Sequence, residues 1–350
     1  MKTVFLISLV MVLSIFIIYD NSEFFEKLLI QEHESELPIY ENDVESLVKI
    51  STVDDIINKR IQLVSYIWKE SSIQSSYPEN VEKIHDKRYD DMSNLKEIEK
   101  IEIDMEYDVN SIAYHFIPLR SNNKLVIYHQ GHDGDFILGK KTIQFFLDRG
   151  YSVLGLSMPL TGMNDQPFSK TNHGQIKLTS HKYFELLESR DFSPIKFFFE
   201  PISASLNYLD AEYNYDEYYA VGLSGGGWTV TVYSAIDERI TKTVSVAGTV
   251  PFFMRTVDEN LGDYEQLNSE LYEIADYLDL YIMAAYNVDR KYIQIFNKYD
   301  PCCFAGDQFY LYQDIIKHRL KKINAGYFEV YLDEKTKLHE ISDYSLEKIQ

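Results

Sequence analysis

From residue 125 to the carboxyl terminus, short apolar segments alternate with longer segments whose apolar positions recur at helical spacing. Short runs rich in β-branched and aromatic residues are typical of strands buried in a parallel sheet, and the amphipathic segments between them are typical of crossover helices. The pattern predicts an α/β fold with a mostly parallel sheet flanked by helices. The predicted strands are residues 125–128, 151–156, 218–223, 243–247, 292–296 and 327–331, and the predicted helices are residues 140–149, 201–208, 228–234 and 308–323.

An antiparallel hairpin is predicted ahead of this region. Ile101, Ile103 and Met105 alternate with charged residues, and after a polar turn at residues 108–110 the apolar positions alternate again through residue 116. A period of two is the pattern of strands with one buried face. We therefore expect the main domain to occupy residues 96–350.

Two segments are less regular. Residues 21–95 are expected to form a spacer with covering helices, because the segment 60–68 places its apolar residues on one helical face and Pro78 ends that pattern. Residues 252–290 are too long for a simple connection between strands. They form either a cap over the sheet edge or one ordinary crossover helix with a loop.

Residues 1–20 have the pattern of a targeting segment. Lys2 precedes an apolar run at residues 4–19 that is interrupted only by Ser8 and Ser14. As a helix this run spans about 24 Å, which is near the lower limit for crossing a membrane. No site for signal cleavage with small residues follows, so we favour an uncleaved signal anchor with the main domain outside the cytoplasm. The alternative is a cleaved signal peptide and a secreted or periplasmic protein.

Composition and charge exclude several classes of protein. The 350 residues are 45% hydrophobic and 25% charged, which excludes collagen-like, low-complexity and disordered chains. With 34 Lys and Arg against 55 Asp and Glu, the net charge is −21, which has the wrong sign for binding a phosphate backbone. Nucleic acid is therefore excluded as a partner. The two cysteines, Cys302 and Cys303, are adjacent, form no disulfide framework, and are expected to be packed small hydrophobic residues.

The most specific motif in the sequence is Gly-Leu-Ser-Gly-Gly at residues 222–226. It lies directly after a predicted strand and directly before a predicted helix. Such a tight turn presents the hydroxyl of Ser224 at the end of the sheet, and small residues two before and two after it prevent clashes. The glycines fit neither a dinucleotide fingerprint nor a P-loop. We interpret the motif as a nucleophile elbow; the alternative is a glycine-rich turn with an incidental serine.

A serine nucleophile needs a base and a carboxylate that orients the base, and both should follow Ser224 in this chain order. Only two histidines follow it: His318 lies among charged residues of a predicted helix, and His339 lies in the loop after the last strand. We predict that His339 is the general base, the alternative being an exposed loop histidine.

Three carboxylates are candidates for the acid of the triad. Asp300 follows the strand 292–296 through a short turn and precedes Pro301, so it is the best placed. Asp307 is second, because its position before a helix is typical of an N-cap, and Asp258 is third.

Acyl transfer also needs donors for the developing oxyanion, usually backbone N–H groups. Gly225, the residue after the nucleophile, supplies one, and the loop after the strand 125–128 should supply the other. There we favour the N–H of His132 over that of Gln130. A metal site formed by His129, His132 and Asp133 is rejected, because their spacing matches no zinc pattern. The loop at 158–164 ends at the same sheet edge and either lines a pocket or only shapes the loop.

These residues resemble those of the α/β-hydrolase superfamily, in its esterase and dienelactone-hydrolase-like group. The resemblance covers residues 97–345 and depends on the elbow, the loop 129–132, Asp300 and His339. It implies about eight strands, an acyl-enzyme on Ser224 and no cofactor or metal. The segment 60–68 also resembles the N-terminal helix of acetyl-xylan-esterase-like members. Gln130 in the oxyanion loop, the acidity and a short tail after His339 depart from the family pattern.

The function expected from this resemblance is hydrolysis of carboxylic esters by a Ser-His-Asp triad. The alternatives are a peptidase or amidase with the same triad, and a non-catalytic binding protein on a hydrolase fold. The expected partner is a small-molecule ester. Contact with a membrane is expected only through residues 1–20, if that segment is not cleaved. The oligomeric state stays open.

Overall fold

The computed structural model of the protein describes residues 44–73, 75–172, 174–255 and 262–349, which belong to one compact unit. The predicted signal peptide or anchor at residues 1–20 lies outside the described residues. Among the residues that are described, no helix is long and apolar enough to span a bilayer.

A twisted central sheet of nine strands organises the fold, in the order β1-β2-β3-β5-β4-β8-β9-β10-β11, and β6 and β7 form a separate two-stranded sheet. The first four strands in that order pair antiparallel, and the six strands from β5 to β11 pair parallel. The strands are β1 (Asn80–Ile84), β2 (Leu95–Asp104), β3 (Asn110–Pro118), β4 (Lys124–His129), β5 (Ser152–Leu156), β6 (Phe168–Thr171), β7 (Gly174–Lys177), β8 (Glu217–Leu223), β9 (Ile240–Val246), β10 (Lys291–Asn297) and β11 (Tyr327–Asp333).

Helices cover both faces of the sheet. One hydrophobic cluster contains the buried residues of α1, α3, α4, α7 and α8, and a second cluster on the other face contains those of α2 and α9. The helices are α1 (Val53–Trp68), α2 (Lys140–Leu147), α3 (Glu200–Glu212), α4 (Gly225–Ile236), α5 (Tyr264–Leu267), α6 (Ser269–Ile274), α7 (Tyr277–Ala285), α8 (Gln313–Lys322) and α9 (Asp343–Ile349).

The local sequence explains how these helices begin and where they lie. At α1, Thr52 and Asp55 form a capping box, in which each side chain accepts a hydrogen bond from the backbone of the other. In α4 and α7 every residue is buried, because nearly all positions are apolar, aromatic or small and the one charged residue, Asp279 in α7, pairs with Lys59. These two helices form the centre of the larger cluster, directly behind the strands that end at the site.

The predicted parallel sheet is confirmed, with three differences. The extra edge strand β1 lies in the segment expected to be a spacer, where its residues NVEKI are too polar to stand out. The predicted helix 308–323 is divided into a 3-10 turn at Gln308–Leu311 and α8, which begins after Tyr312. Within 252–290, α7 is the crossover helix, and the short α5 and α6 precede it.

The carboxyl ends of the parallel strands meet at one edge of the sheet. The pairing aligns their last residues: His129 with Gly222 and Leu156, Leu223 with Val246, and Asn297 with Asp333. Ligand sites of open α/β sheets form at this edge. Ser224, His132 and Asp300 follow these strand ends within three positions, and His339 follows within six.

Candidate active site

Ser224 occupies a strained turn between β8 and α4. Its φ of 55° and ψ of −127° lie outside the regions that side chains usually adopt. Two backbone bonds hold it: the Ser224 N–H donates to the Val246 carbonyl at 2.9 Å, and the Ser224 carbonyl accepts from the Trp228 N–H at 3.1 Å. The residue is 8% exposed. The turn therefore has the geometry that the elbow motif predicts.

Neighbouring glycines make this turn possible because the backbones approach too closely for a side chain. A Cβ on Gly226 would lie 2.1 Å from the His129 carbonyl oxygen, and a Cβ on Gly222 would lie 2.1 Å from the Gly226 carbonyl oxygen. On the opposite loop, a Cβ on Gly131 would lie 2.6 Å from the Ser224 Cβ. The loop after β4 thus packs directly against the nucleophile turn.

His339 and Asp300 form the ion pair of the site. His339 Nδ1 lies 3.0 and 2.8 Å from the two carboxylate oxygens of Asp300, whose side chain is fully buried. The Cys302 N–H also donates to Asp300 at 2.9 Å. Asp300 is thus the carboxylate that the structure brings to His339.

The other nitrogen of His339 is free. Nε2 is buried and has no hydrogen-bond partner within the described residues, so it is not hydrogen-bonded to Ser224. An unpaired buried nitrogen is costly unless a ligand or a proton transfer uses it. Catalytic hydrogen bonds are commonly long in ligand-free sites and tighten when a substrate binds. Nε2 of His339 is thus unoccupied by any partner among the described residues.

Asn297 fixes the loop that carries His339, a role that the sequence analysis missed. Its amide donates to the carbonyls of Leu338 and Glu340 at 3.2 and 3.0 Å, one on each side of His339. Asn297 is the last residue of β10 and fully buried. The only signal in the sequence is an amide side chain at the end of a strand three residues before Asp300.

The other candidates lie elsewhere. Asp307 is exposed at the N-cap position of the 3-10 turn and makes no side-chain cap hydrogen bond, and His318 is exposed on α8. Asp258 lies outside the described residues. Cys302 is exposed rather than packed, while Cys303 is half-buried and burial raises the pKa of its thiol.

Of the two loop residues weighed as the second oxyanion donor, Gln130 is already engaged. Its N–H donates to the Leu156 carbonyl at 2.9 Å as an extension of the sheet. The His132 N–H makes no backbone hydrogen bond with the described residues. Gly225 is the first residue of α4, where N–H groups have no partner within the helix. Of the three candidate donors, the N–H groups of Gly225 and His132 are therefore those without a backbone partner among the described residues.

The rejected metal interpretation of the loop finds no support at His129. Its ring is buried, and Nδ1 contacts the carbonyl of the adjacent Gln130 at 2.9 Å. Burial lowers the pKa of His129 to about 4, so the ring is neutral. The ring of His132 points elsewhere: it packs on Gly225 and contacts Glu265, two residues whose proximity the sequence does not indicate.

The charge of Asp300 sets the protonation of His339. Burial lowers the pKa of His339, but the hydrogen bond and charge of Asp300, with a further contribution from Asp133, outweigh burial and an opposing effect of His132. The pKa of His339 therefore lies above its ordinary value of about 6.5. The neutral ring, which alone can accept a proton at Nε2, becomes dominant only above that raised pKa.

Solved structures resemble this chain, although no protein-family model and no curated protein sequence matches it significantly. A glucuronoyl esterase from Solibacter usitatus superposes with a TM-score of 0.54 at 12% identity, covering 84% of this chain and 90% of that chain. Acetyl xylan esterase 1 from Thermoanaerobacterium sp. gives 0.53 at 13% identity, covering 85% and 95%. An S-formylglutathione hydrolase from Agrobacterium tumefaciens gives 0.50 at 14% identity, covering 77% and 96%. These superpositions confirm the fold class predicted from the sequence.

The ion pair predicts the effect of removing the carboxylate. In Asp300→Asn the amide carries no charge, so burial should dominate and the pKa of His339 should fall from above about 6.5 to below it. NMR titration of the His339 ring measures this directly. Asp307→Asn is the matched control, since Asp307 is exposed and does not contact His339. Equal pKa values in the wild type and in Asp300→Asn would contradict the assignment.

Proposed function

We propose that this chain, which has the α/β-hydrolase fold, is a serine hydrolase that cleaves carboxylic esters. The observation that carries the proposal is the ion pair between His339 Nδ1 and Asp300, which leaves a buried, unpartnered Nε2 at the sheet edge where Ser224 is held in its strained turn. This arrangement matches the roles of base, orienting acid and nucleophile in serine hydrolysis. The superposed proteins, two esterases and an S-formylglutathione hydrolase, support the same chemistry.

The proposed reaction has two halves. Ser224 Oγ attacks the ester carbonyl carbon while His339 Nε2 takes its proton, and the resulting oxyanion is stabilised by the N–H groups of Gly225 and His132. The bond to the alcohol oxygen then breaks, and that oxygen takes the proton from Nε2. A water molecule, deprotonated by His339 in the same way, attacks the acyl group and releases Ser224 and the acid.

Asp300 keeps the ring of His339 in the orientation and tautomer that this cycle needs. With Nδ1–H donating to the carboxylate, Nε2 carries the lone pair in the neutral ring. When Nε2 is protonated in the transition state, the buried negative charge stabilises the imidazolium. Asn297 acts only through His339, by holding the loop on both sides of it.

The substrates we propose are small or sugar-linked acyl esters. The superposed proteins include an acetyl xylan esterase and a glucuronoyl esterase, which supports esters of this class. The net charge of −21 disfavours strongly anionic substrates. The apolar run at residues 4–19 supports export, so the enzyme would act outside the cytoplasm, either anchored or released.

A fluorophosphonate probe tests the nucleophile. We expect the folded wild-type protein to be labelled and Ser224→Ala to be unlabelled, with hydrolysis of short acyl esters reduced by more than about 10⁴-fold. A panel of matched esters and amides, followed by product formation, distinguishes an esterase from a peptidase or amidase. Labelling that persists in Ser224→Ala, or a folded wild type that is not labelled at all, would refute the proposal.

The pH profile tests the base. Since only the neutral ring of His339 accepts the serine proton, kcat/KM should rise with pH through an apparent pKa above about 6.5 and then level off. The measurement is ester hydrolysis across pH 5 to 9 under conditions where the protein stays folded. An acid limb near pH 4, the range of an ordinary carboxyl group, would argue for a different base.

Asn297 tests the positioning of the loop. We expect Asn297→Ala to lower kcat by about tenfold to a hundredfold with little change in KM, because the base is misplaced while the substrate site is intact. Asn297→Asp keeps the size of the side chain but replaces the donating amide with a carboxylate that can only accept, opposite two carbonyls. We therefore expect its kcat to be no higher than that of Asn297→Ala. Asn80→Ala, on the edge strand β1, is the control. Wild-type kcat in Asn297→Ala would show that the two bonds do not position His339.

A further inference from the structure

Two histidines and two carboxylates outside the proposed triad converge beside the nucleophile turn. They are His132 in the loop after β4, His181 at the start of the 3-10 helix His181–Leu187, Asp263 at the N-cap of α5, and Glu265 within α5. One ligand-type atom from each lies within 4.8 Å of the corresponding atoms of the others. Residues up to 133 positions apart in the sequence thus meet at one point.

The distances among these atoms match the ligand shell of a single metal ion. His132 Nε2 lies 3.0 Å from one oxygen of Glu265, and His181 Nδ1 lies 3.1 Å from the other. An oxygen of Asp263 lies 3.8 Å from each of the two ring nitrogens. A tetrahedral ion with ligands at about 2.1 Å has ligand-to-ligand distances of about 3.4 Å. The observed distances of 3.0, 3.1 and 3.8 Å fall on both sides of that value.

The hydrogen bonding of His181 calls for a cation in the cluster. Its Nε2 lies 2.9 Å from the Pro159 carbonyl, which can only accept, so Nε2 carries the hydrogen. In the neutral ring Nδ1 then presents a lone pair to the carboxylate of Glu265, which also only accepts when it is ionised. Either a proton, on the ring or on the carboxyl group, or a metal ion must therefore lie between them. A histidine that ligates a metal commonly donates its other N–H to a backbone carbonyl, as His181 does.

Charge and burial favour a divalent ion. Glu265 is completely buried and His181 is 3% exposed, so an uncompensated carboxylate there would be costly. Two carboxylates and two neutral rings carry a charge of −2, which one divalent cation balances. Phe184 and Phe198 pack against the ring of His181 and form an apolar shell on the inner side. Asp263 is 40% exposed and lines a surface cavity, which gives an ion access from solvent.

We propose that His132, His181, Asp263 and Glu265 bind one divalent transition-metal ion, with Zn²⁺ the best match to two imidazole nitrogens and two carboxylate oxygens. Four protein ligands leave no open position, which is the pattern of a structural site. The ion would fasten the 3-10 helix and α5 to the loop of His132, whose ring packs on Gly225. It takes no part in the proposed ester hydrolysis.

Metal binding is tested directly, without reference to activity. Wild-type protein is stripped with a chelator, titrated with ZnCl₂ by calorimetry, and analysed for bound metal after dialysis. The same titration is made in Cys302→Ser/Cys303→Ser, because those two thiols and His339 form a second cluster of ligand atoms within 4.8 Å. We expect one tightly bound Zn²⁺ per chain that persists in the cysteine variant, with a submicromolar Kd and a higher Tm in the loaded protein.

Two ligand variants and one control locate the ion. Glu265→Gln should weaken Zn²⁺ binding by at least about a hundredfold, and the more exposed Asp263→Asn by about tenfold. Glu99→Gln is the matched control, since Glu99 is also a buried carboxylate at 3.0 Å from a histidine, His115, but belongs to no such cluster. Its affinity for Zn²⁺ should equal that of the wild type.

Three results would overturn the proposal. The first is that the wild type binds no stoichiometric Zn²⁺. The second is that Glu265→Gln binds Zn²⁺ as tightly as the wild type, and the third is that binding disappears in the cysteine variant. In the first case the cation between His181 and Glu265 is a proton, and the cluster is a buried ion pair. In the last case the ion belongs to the cysteines. None of these results bears on Ser224 labelling, so the proposed esterase activity stands or falls separately.

Discussion

The left-handed backbone of Ser224 is the constraint on which the rest of the structure depends. A conformation of this kind costs on the order of 1–3 kcal/mol and persists only where its surroundings enforce it. Here β8 lies between β4 and β9 in a continuous parallel ladder, and α4 is buried along its whole length. The strand cannot slide and the helix cannot tilt outward, so the single residue between them absorbs the change of direction. The glycines at 222 and 226 allow the close approach that results.

A second system of bonds organises the opposite side of the site. The loop between β11 and α9 has little secondary structure, yet buried side chains fix it from the strand ends. Asn297 at the end of β10 donates on both sides of His339, and Asp333 at the end of β11 accepts from the N–H groups of Lys335 and Thr336. The paired strands β10 and β11 therefore determine the position of His339, just as β8 and α4 determine that of Ser224. Both halves of the site are positioned by regular elements rather than by the loops themselves.

Much of this architecture could be predicted from the sequence, because parallel strands and crossover helices leave a strong periodic pattern and because strand ends bring loop residues to one edge. Proximity of His339 to Asp300 follows from that rule. The strand β1 could not be predicted, since it pairs at an edge where few of its residues are buried. Asn297, His181 and Glu265 were missed for another reason: their partners are backbone groups or side chains far away in the chain, and no local pattern records such contacts. The exposure of Cys302 likewise depends on how the chain turns after Asp300.

The loop after β4 shows why spacing along the chain is a poor guide to ligand clusters. The spacing of His129, His132 and Asp133 matches no metal pattern, and Nδ1 of His129 contacts the carbonyl of the adjacent Gln130. The backbone of residues 131–134 makes no backbone–backbone hydrogen bond within the described residues, so its conformation depends on packing and on side chains. Gly131 supplies the packing against Ser224, and the ring of His132 supplies the polar anchor at Glu265. Because the peptide N–H of His132 belongs to the same residue as that anchor, the contact of the His132 ring with Glu265 also restrains this N–H.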